Sequence, residues 1–467
     1  MRQYKLAAAV AAAAILAGCG GGSSSGGNQS TKIQFSSQVS FGDSLSDVGT
    51  YAVGTVAALH GGKYTVNTLT PSAQNWTELM AASLGLPAPC PAQTGLSGMA
   101  ADGFSVGVVN HAGCYGYGQG GARVTLPYGP GNANLDPSLG GSPVLGQLTV
   151  PVLTQIQNHL KAVGGKFSGN EIVFVLAGAN DVFVQLATLN ANATAAGTTA
   201  VNNLVGARVQ ADVAAGTCTP TDAQASNCVP QAEGELWQAS LGSAAAVQAA
   251  VGAQVQTDVK AGTCTPTDAL ASNCVPQAET ELVTAYLTAQ GTAAGNAYAG
   301  GAGATAAVTA LGQAGGELAA YVNQLILANG AKYVVVVNIP DIGTTPFGNS
   351  VGAATVGLID TMVATFNLQV QNGLAGNPNV LLVDFNTQSH VNTQNPAQVG
   401  LTNVTTPACN LSTSVNLLGS SLTCTTANTI PGDVSHYAFA DSVHPTPYGY
   451  SLLAKYVATQ MATRGWL

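Results

Sequence analysis

Three uninterrupted runs of apolar residues stand out along the chain, and each has the length of a strand. They lie within residues 171–178 (EIVFVLAG), 332–340 (KYVVVVNIP) and 380–385 (VLLVDF), where polar residues stand only near the ends of each segment. A shorter β-rich run, residues 33–44 (IQFSSQVSFGDS), leads into a glycine turn. Apolar runs without alternation are typical of strands buried on both faces of a parallel sheet. We therefore expect a mainly parallel sheet built from these segments.

Segments with helical spacing separate these strands. They are residues 72–86, with Ser72 as a candidate N-cap, residues 146–165, residues 354–374, and residues 446–465, where Thr446 is a candidate N-cap and Pro447 fits the first helical position. Strands that alternate with helices predict an α/β fold. We expect three layers, with a doubly wound sheet between helices.

Residues 187–310 interrupt this alternation and are rich in Ala, Gly, Thr and Gln. They contain a duplication, because residues 209–236 recur as residues 255–282 with four differences in 28 positions. Each copy predicts a helix, a disulfide-bearing loop and a second helix. Two copies are too few for a stacked solenoid, so we expect an Ala-rich helical insertion. It is either a spacer without a role in the chemistry or a lid or docking arm.

The N-terminus has the pattern of an export signal. Arg2 and Lys5 precede an apolar stretch that is too short to span a bilayer, and Leu-Ala-Gly leads into Cys19. This resembles the lipobox of bacterial lipoproteins. We expect residues 1–18 to be a cleaved signal peptide, Cys19 to carry the lipid, and the Gly/Ser-rich residues 19–32 to be a flexible tether. The alternative is an ordinary secretory signal with an incidental cysteine.

The cysteine pattern agrees with export. Eight of the nine cysteines, all except Cys19, form four pairs close in sequence: Cys90/Cys114, Cys218/Cys228, Cys264/Cys274 and Cys409/Cys424. In an oxidising compartment these predict four disulfides, whereas the spacing is too wide for zinc knuckles. We therefore place the protein in the bacterial cell envelope, as an outer-membrane lipoprotein or a secreted protein.

Charge excludes one class of partner. Only 7% of the 467 residues are charged, against about 25% in typical soluble proteins, and the net charge is −9. Twelve Lys and Arg residues offer few cations to neutralise phosphates. We therefore expect no nucleic-acid partner.

Ser44 is the first candidate for chemistry. It follows the first strand, so it would lie at the carboxyl edge of the sheet, where ligand sites of α/β proteins form. We expect a helix to start there and to offer backbone N–H groups to an anion. The sequence is not the G-x-S-x-G nucleophile elbow, because Ser46 replaces the second glycine. Taken alone, Ser44 fits an N-cap serine better than a nucleophile, because a serine in a Gly-Asp-Ser turn is most often an N-cap.

A nucleophilic serine needs a base and an oxyanion site. Asp441 lies three residues before His444, so the carboxylate could fix the tautomer of the imidazole. Asn180 follows the strand 171–178 and would lie at the same sheet edge as Ser44. The glycine-rich residues 114–124 would let the backbone approach a substrate. Each of these segments is also compatible with a plain capping loop or turn.

Together these segments resemble the GDSL esterase/lipase family, also called SGNH hydrolases. The matching blocks are residues 41–49 (FGDSLSDVG), 116–124 (GYGQGGARV), 178–181 (GAND) and 441–445 (DSVHP). The resemblance covers residues 35–185 and 315–465 and implies a flavodoxin-like hydrolase domain, residues 33–467, interrupted by residues 187–310. One position departs from the family pattern, because Gly116 stands where the glycine block usually opens with Asn.

The resemblance also implies roles for individual residues. Ser44 is the nucleophile, His444 the base and Asp441 the residue that orients it. The backbone N–H groups of Ser44 and Gly121 and the side chain of Asn180 form the oxyanion hole. The family uses no metal and no cofactor.

Three functions follow as expectations. The first is an exported serine ester hydrolase whose substrate is a lipid, short-chain or polymeric ester, with the membrane reached through the lipid anchor. The second is an acyltransferase with the same acyl-enzyme, in which an alcohol replaces water. The third is a non-catalytic surface lipoprotein that binds a ligand and has no need of Ser44, Asn180, Asp441 and His444 together.

Overall fold

The computed structural model describes residues 33–68 and 72–467, so the predicted signal peptide, Cys19 and the tether lie outside the described residues. The described residues contain six strands: β1 (Gln38–Gly42), β2 (Gln93–Ser97), β3 (Ser105–Asn110), β4 (Ile172–Leu176), β5 (Tyr333–Val337) and β6 (Val380–Val383). The helices are α1 (Gly54–Ala58), α2 (Trp76–Ser83), α3 (Val152–Ala162), α4 (Ala179–Ala215), α5 (Val229–Leu241), α6 (Ala244–Ala261), α7 (Val275–Tyr298), α8 (Ala304–Tyr321), α9 (Pro346–Ser350), α10 (Ala353–Leu374), α11 (Phe385–Gln394) and α12 (Pro447–Arg464).

The central sheet consists of four parallel strands in the spatial order β1-β4-β5-β6. All four segments that the sequence predicts as strands lie in it. Gly42 pairs with Leu176, and Leu176 pairs with Val337, so the strands end together at one edge. The residues that follow these ends therefore meet at the same edge.

A short segment, residues 115–117, extends this sheet beyond β1. Ser40 N–H donates to the carbonyl of Tyr115 (3.0 Å), and Tyr117 N–H donates to the carbonyl of Ser40 (2.8 Å). When this segment counts as a strand, the chain follows the flavodoxin-like order 2-1-3-4-5. In this order the winding direction reverses between β1 and β4, which is where such folds bind ligands. β2 and β3 form a separate antiparallel hairpin.

Helices cover both faces of the sheet, which makes the three predicted layers. On one face, alternate strand residues such as Val173, Val175 and Val334 join a core with α3, α8 and α10. On the other face, Phe174 and Val335 join a second core with α2 and α12. The strands are thus buried on both sides, as their continuous apolar runs predict.

The predicted N-cap of α12 is correct, whereas the predicted N-cap of α2 is wrong. Thr446 caps α12 with its side chain, which accepts from Gly449 N–H, and Pro447 is the first helical residue. For α2 the cap is Asn75 rather than Ser72, because Asn75 forms a capping box with Glu78. The side chain of Asn75 accepts from the N–H groups of Thr77 and Glu78.

The duplicated segment is helical, as expected, and leaves the sheet through one long helix. α4 begins at the end of β4 and continues for 37 residues without a break. It packs against α7 with glycine at the crossing, since a Cβ on Gly197 would lie 2.5 Å from the carbonyl oxygen of Gly291. α4 and α7 therefore form a close-packed stem that carries α5 and α6.

The structure has all four predicted disulfides: Cys90–Cys114, Cys218–Cys228, Cys264–Cys274 and Cys409–Cys424. The second and third close the loops of the two duplicated segments, each between two helices. One helix of the described residues, α10, is long and apolar enough to cross a membrane by length and composition. Its residues Ile359, Met362 and Phe366 pack in the core against the sheet, so α10 fits a core helix.

Candidate active site

Ser44 lies two residues beyond the end of β1, in a single turn of 3-10 helix that covers Ser44–Ser46. The sequence predicts the start of a helix here, and the structure has only this one turn. The cap is Asp43, whose Oδ1 accepts from Leu45 N–H at 3.1 Å. Ser46, at the position that differs from the nucleophile elbow, is fully buried and accepts a hydrogen bond from Trp76 Nε1 (3.2 Å). Trp76 of α2 therefore holds this turn in place.

The structure brings Ser44, His444 and Asp441 into one hydrogen-bonded chain. His444 Nε2 lies 2.9 Å from Ser44 Oγ. His444 Nδ1 lies 2.8 Å from Asp441 Oδ2 and 2.9 Å from Asp441 Oδ1. If Nδ1 carries the ring proton, Nε2 is left as an acceptor for the serine hydroxyl.

Asp441 is held ionised by its surroundings. Burial raises the pKa of this carboxyl, but the charge of His444 and the hydrogen bonds from His444, Ser421 N–H and Val443 N–H outweigh burial, so the pKa lies well below its usual value. Asp441 Oδ1 also accepts from the N–H of His444 itself at 2.8 Å. The same carboxylate thus shapes the loop and holds the ring.

Tyr64 packs against the ring of His444, with 4.8 Å between ring centroids. Sequence reasoning missed it, since it lies in a loop without a motif. Tyr64 is buried, and burial raises the pKa of its hydroxyl well above the ordinary value, so the ring stays neutral. His444 is therefore confined between an aromatic face and Asp441.

Hydrogen bonds to the side chain of Asp47 hold the glycine-rich loop next to the turn that contains Ser44. Its Oδ2 accepts from Gly120 N–H at 2.9 Å, and its Oδ1 accepts from the N–H groups of Gly49 and Thr50. The N–H of Gly120 is therefore already used within the protein. Gly121 has a φ of +78°, and a Cβ there would collide with the carbonyl of Pro130, so the position requires glycine.

Asn180 lies at the start of α4, and its Nδ2 donates to the carbonyl of Ala122 at 2.9 Å. This bond places the Asn180 side chain beside the glycine-rich loop at the same sheet edge as Ser44. Its neighbour Asp181 makes a buried ion pair with Arg123 (2.9 Å) and accepts from Val124 N–H (3.0 Å). The pair fixes the loop to α4 and was not foreseen from the sequence.

The glycine at position 116, which departs from the family pattern, has a steric explanation. Its N–H donates to the carbonyl of Cys90, and its own carbonyl accepts from Ala92 N–H. A Cβ at this position would lie 2.7 Å from a methyl carbon of Val48 and 2.8 Å from the carbonyl oxygen of Cys90. The strand-like segment that the Cys90–Cys114 disulfide brings alongside thus excludes any larger residue.

Asp43 is a buried carboxyl beside the serine. It is 1% exposed, and within the described chain its Oδ2 has no hydrogen-bond partner. Burial raises the pKa of Asp43 to about 7, against opposing contributions from the Leu45 N–H and from His444. Burial likewise raises the pKa of Asp47 to about 6, although three backbone N–H groups act in the opposite direction.

An apolar cavity of about 350 Å³ opens beside these residues. Ser44, Asn180 and His444 all line it, together with Asp43. In residues 33–68 and 72–467, no group of three His, Cys, Asp or Glu side chains is arranged to hold a metal ion. The arrangement offers a hydroxyl, a histidine paired with a carboxylate, and an amide around one apolar space.

Comparison with protein families agrees with this geometry. Residues 292–457 match the model of the GDSL-like lipase/acylhydrolase family. The matched stretch contains Asp441 and His444, whereas Ser44 and Asn180 lie outside it. No curated protein matches the chain. The match supports the resemblance to the GDSL family and a chemistry of acyl hydrolysis or acyl transfer.

Proposed function

We propose that the protein is an exported serine ester hydrolase that works through an acyl-enzyme on Ser44. The observation that carries the proposal is the hydrogen-bonded chain from Ser44 through His444 to Asp441 at the mouth of an apolar cavity. A serine hydroxyl is a weak nucleophile until a neighbouring base takes its proton. His444 lies within hydrogen-bond reach of that proton, which is the first requirement for a general base.

In the acylation step, Ser44 Oγ attacks the ester carbonyl carbon and its proton passes to His444 Nε2. A new C–O bond forms, and the carbonyl electron pair moves onto the oxygen. Asp441 stays ionised and accepts from Nδ1–H, so it stabilises the imidazolium that forms. When the intermediate collapses, the bond to the alkoxy oxygen breaks and His444 returns the proton to the leaving alcohol.

The negative oxygen of the intermediate needs donors. We assign this role to the N–H groups of Ser44 and Gly121 and to Nδ2 of Asn180. The bond between Gly120 N–H and Asp47 supports Gly121 over Gly120, because the Gly120 donor is already occupied. Each donor in such a site contributes about 10²–10³ to kcat. Water then attacks the acyl-enzyme, with His444 as base, and releases the acid.

Acyl transfer to an alcohol is the runner-up, since it shares the acyl-enzyme and differs only in the acceptor. A non-catalytic binding lipoprotein is less favoured, because a ligand site does not require a histidine hydrogen-bonded to both a serine and a buried aspartate. The products distinguish the three functions: hydrolysis yields free acid, transfer yields a new ester, and a binding protein yields neither.

The cellular setting is part of the proposal. We propose that residues 1–18 are removed, that Cys19 is lipidated and that residues 19–32 hold the domain off the bacterial membrane. The four disulfides are compatible with an oxidising envelope or extracellular compartment.

The test is turnover of p-nitrophenyl butyrate by the wild type and Ser44→Ala. We expect the variant to lose on the order of 10⁴–10⁶ in kcat, since only binding and the oxyanion hole remain. Ser435→Ala, which changes an exposed serine, is the control and should keep full activity. Circular dichroism checks the fold. If a folded Ser44→Ala variant kept a tenth of wild-type turnover, the proposal would fail.

A further inference from the structure

Two aromatic side chains outside the four sequence blocks form one wall of the cavity. Phe183 of α4 and Phe347 of α9 meet edge to face, with ring centroids 5.4 Å apart at 85°. Ile342, Leu401, Phe439 and Leu453 add to the lining. The chemistry of ester cleavage does not require any of these residues. Phe183 and Phe347 pack against the core and also present apolar surface to the cavity.

Both aromatic residues are tied to groups of the candidate active site. Phe183 lies three residues after Asn180 on α4, and residues with this spacing share a helix face. Phe347 N–H donates to the carbonyl of Ser442 at 2.9 Å, and Ser442 lies between Asp441 and His444. The wall therefore has a fixed position relative to Asn180 and to the loop that carries His444. An ester bound at Ser44 would have the wall beside it.

The size of the cavity limits what it holds. A methylene group takes up about as much volume as a water molecule, about 30 Å³. At about 30 Å³ per carbon, a cavity of about 350 Å³ holds at most about twelve carbons, so it accommodates a medium-length acyl chain. An acetyl group would leave most of the apolar surface without a partner, and a much longer chain would have to leave the cavity.

From this we infer that the cavity is the acyl-binding site and that the substrates are esters of medium-chain carboxylic acids, with Phe183 and Phe347 contacting the acyl chain. The inference rests on the proposed function and narrows it. Among the substrate classes that the sequence leaves open, it selects medium-chain acyl esters over acetylated sugars and other short acyl esters.

The test is kcat/KM for p-nitrophenyl esters from two to fourteen carbons. Each methylene that is fully buried contributes about 0.8 kcal/mol, which corresponds to about fourfold in kcat/KM. For the wild type we expect a rise of up to about fourfold per methylene, then a plateau or decline beyond eight to twelve carbons. A flat profile, or an optimum at two to four carbons, would overturn the inference.

Two variants test the wall from opposite directions. Phe347→Ala enlarges the cavity and should shift the optimum towards longer chains, whereas Leu401→Trp fills it and should shift the optimum towards shorter chains. Leu368→Ala, an exposed leucine on α10, is the control and should keep the wild-type profile. For each variant, kcat/KM on the acetyl ester is the reference, and the profile is the ratio of kcat/KM for each longer ester to that value.

The outcomes separate this inference from the proposed function. An active enzyme whose optimum does not move in either variant contradicts the acyl site alone. Equal losses at every chain length would show that the wall supports the fold or the triad rather than the chain. No hydrolysis of any ester by the wild type would overturn both the inference and the proposed function.

Discussion

Ser44 and His444 are 400 residues apart in the chain, yet Oγ of one lies 2.9 Å from Nε2 of the other. The contact depends on two separate local structures. Asp43 caps the turn that holds Ser44 at the end of β1, and Asp441 folds the loop that holds His444 just before α12. Asp43 stabilises the turn of Ser44, and Asp441 stabilises the loop of His444. The contact between Ser44 and His444 then requires only that the doubly wound sheet brings the two segments to the same edge.

Asn180→Ala should lower kcat by about 10²–10³ and leave KM within about threefold. The reason is that a donor to the oxyanion acts in the transition state more than in the bound ester. Steady-state kinetics on p-nitrophenyl butyrate measure both values. Asn190→Ala, an exposed asparagine on the same helix, is the matched control. A rise in KM at unchanged kcat would show that Asn180 contributes to ground-state binding instead.

Asp43→Asn should stabilise the protein at alkaline pH. The folded-state pKa of Asp43 is raised to about 7 by burial, so the wild type loses stability as the pH rises from about 4 through 7, where the carboxyl must ionise in the folded protein. Asn does not titrate and keeps an acceptor for Leu45 N–H. The difference in Tm between variant and wild type should therefore grow between pH 5 and pH 8 and then level off.

Thermal unfolding at pH 5, 6, 7 and 8 checks this prediction. Asn190→Ala, which changes an exposed side chain that does not titrate, is the control, and its difference in Tm should not change over the same range. A constant difference in Tm for Asp43→Asn would mean that Asp43 is already ionised at pH 5. Asp47, with a pKa of about 6, contributes the same trend to both proteins and cancels in the comparison.

The tip of the insertion should be dispensable. Replacing residues 203–285 with a short glycine linker keeps the α4–α7 stem, where Leu287 packs in the same cluster as Val201. It also keeps Asn180 and Phe183. Long surface insertions cost little closure entropy, so their removal need not unfold the core. If the arm is a spacer, kcat/KM should stay within about threefold for soluble and for polymeric esters.

Other results on this deletion have distinct meanings. A loss confined to polymeric or long-chain esters would identify a docking arm or lid. An equal collapse on both substrate classes, with the fold intact by circular dichroism, would show that the tip helps to build the active site, and both readings of the arm would be wrong.

Cys19→Ser should abolish lipid attachment. The wild type should partition with bacterial membranes and carry a mass increase on its N-terminal peptide, whereas the variant should do neither. Cell fractionation followed by mass spectrometry measures both properties. Recovery of a soluble wild-type protein with an unmodified N-terminus would favour an ordinary secretory signal.

Much of the fold could be predicted because its signals are local. The apolar runs gave the positions of the sheet strands, and Thr446 and Pro447 marked the start of α12. Asp441 and His444 are also local, since three residues separate them. The assignment of the α2 cap failed because Ser72 and Asn75 are both good capping residues, and only Asn75 has Glu78 at the position that completes the capping box.

The features that escaped prediction depend on contacts between distant segments. Tyr64 meets His444 across 380 positions, and Arg123 meets Asp181 only because the glycine-rich loop crosses the start of α4. Phe183 and Phe347 belong to different helices and become a wall only in the folded chain. Local sequence patterns carry no information about such distant pairs. The four sequence blocks could therefore be identified, but the cavity beside them could not be predicted.

The most direct measurement of the central claim is covalent labelling with diethyl p-nitrophenyl phosphate, followed by peptide mass spectrometry. Serine hydroxyls activated by a histidine react with such a phosphoryl group and keep it. We expect one diethylphosphoryl group per wild-type chain, on the peptide that contains Ser44, with release of one equivalent of p-nitrophenol. We also expect His444→Ala to react at least about 10³ times more slowly, because the base is absent. Labelling of a residue other than Ser44, or equal labelling rates for wild type and His444→Ala, would contradict the role of Ser44 as a nucleophile activated by His444.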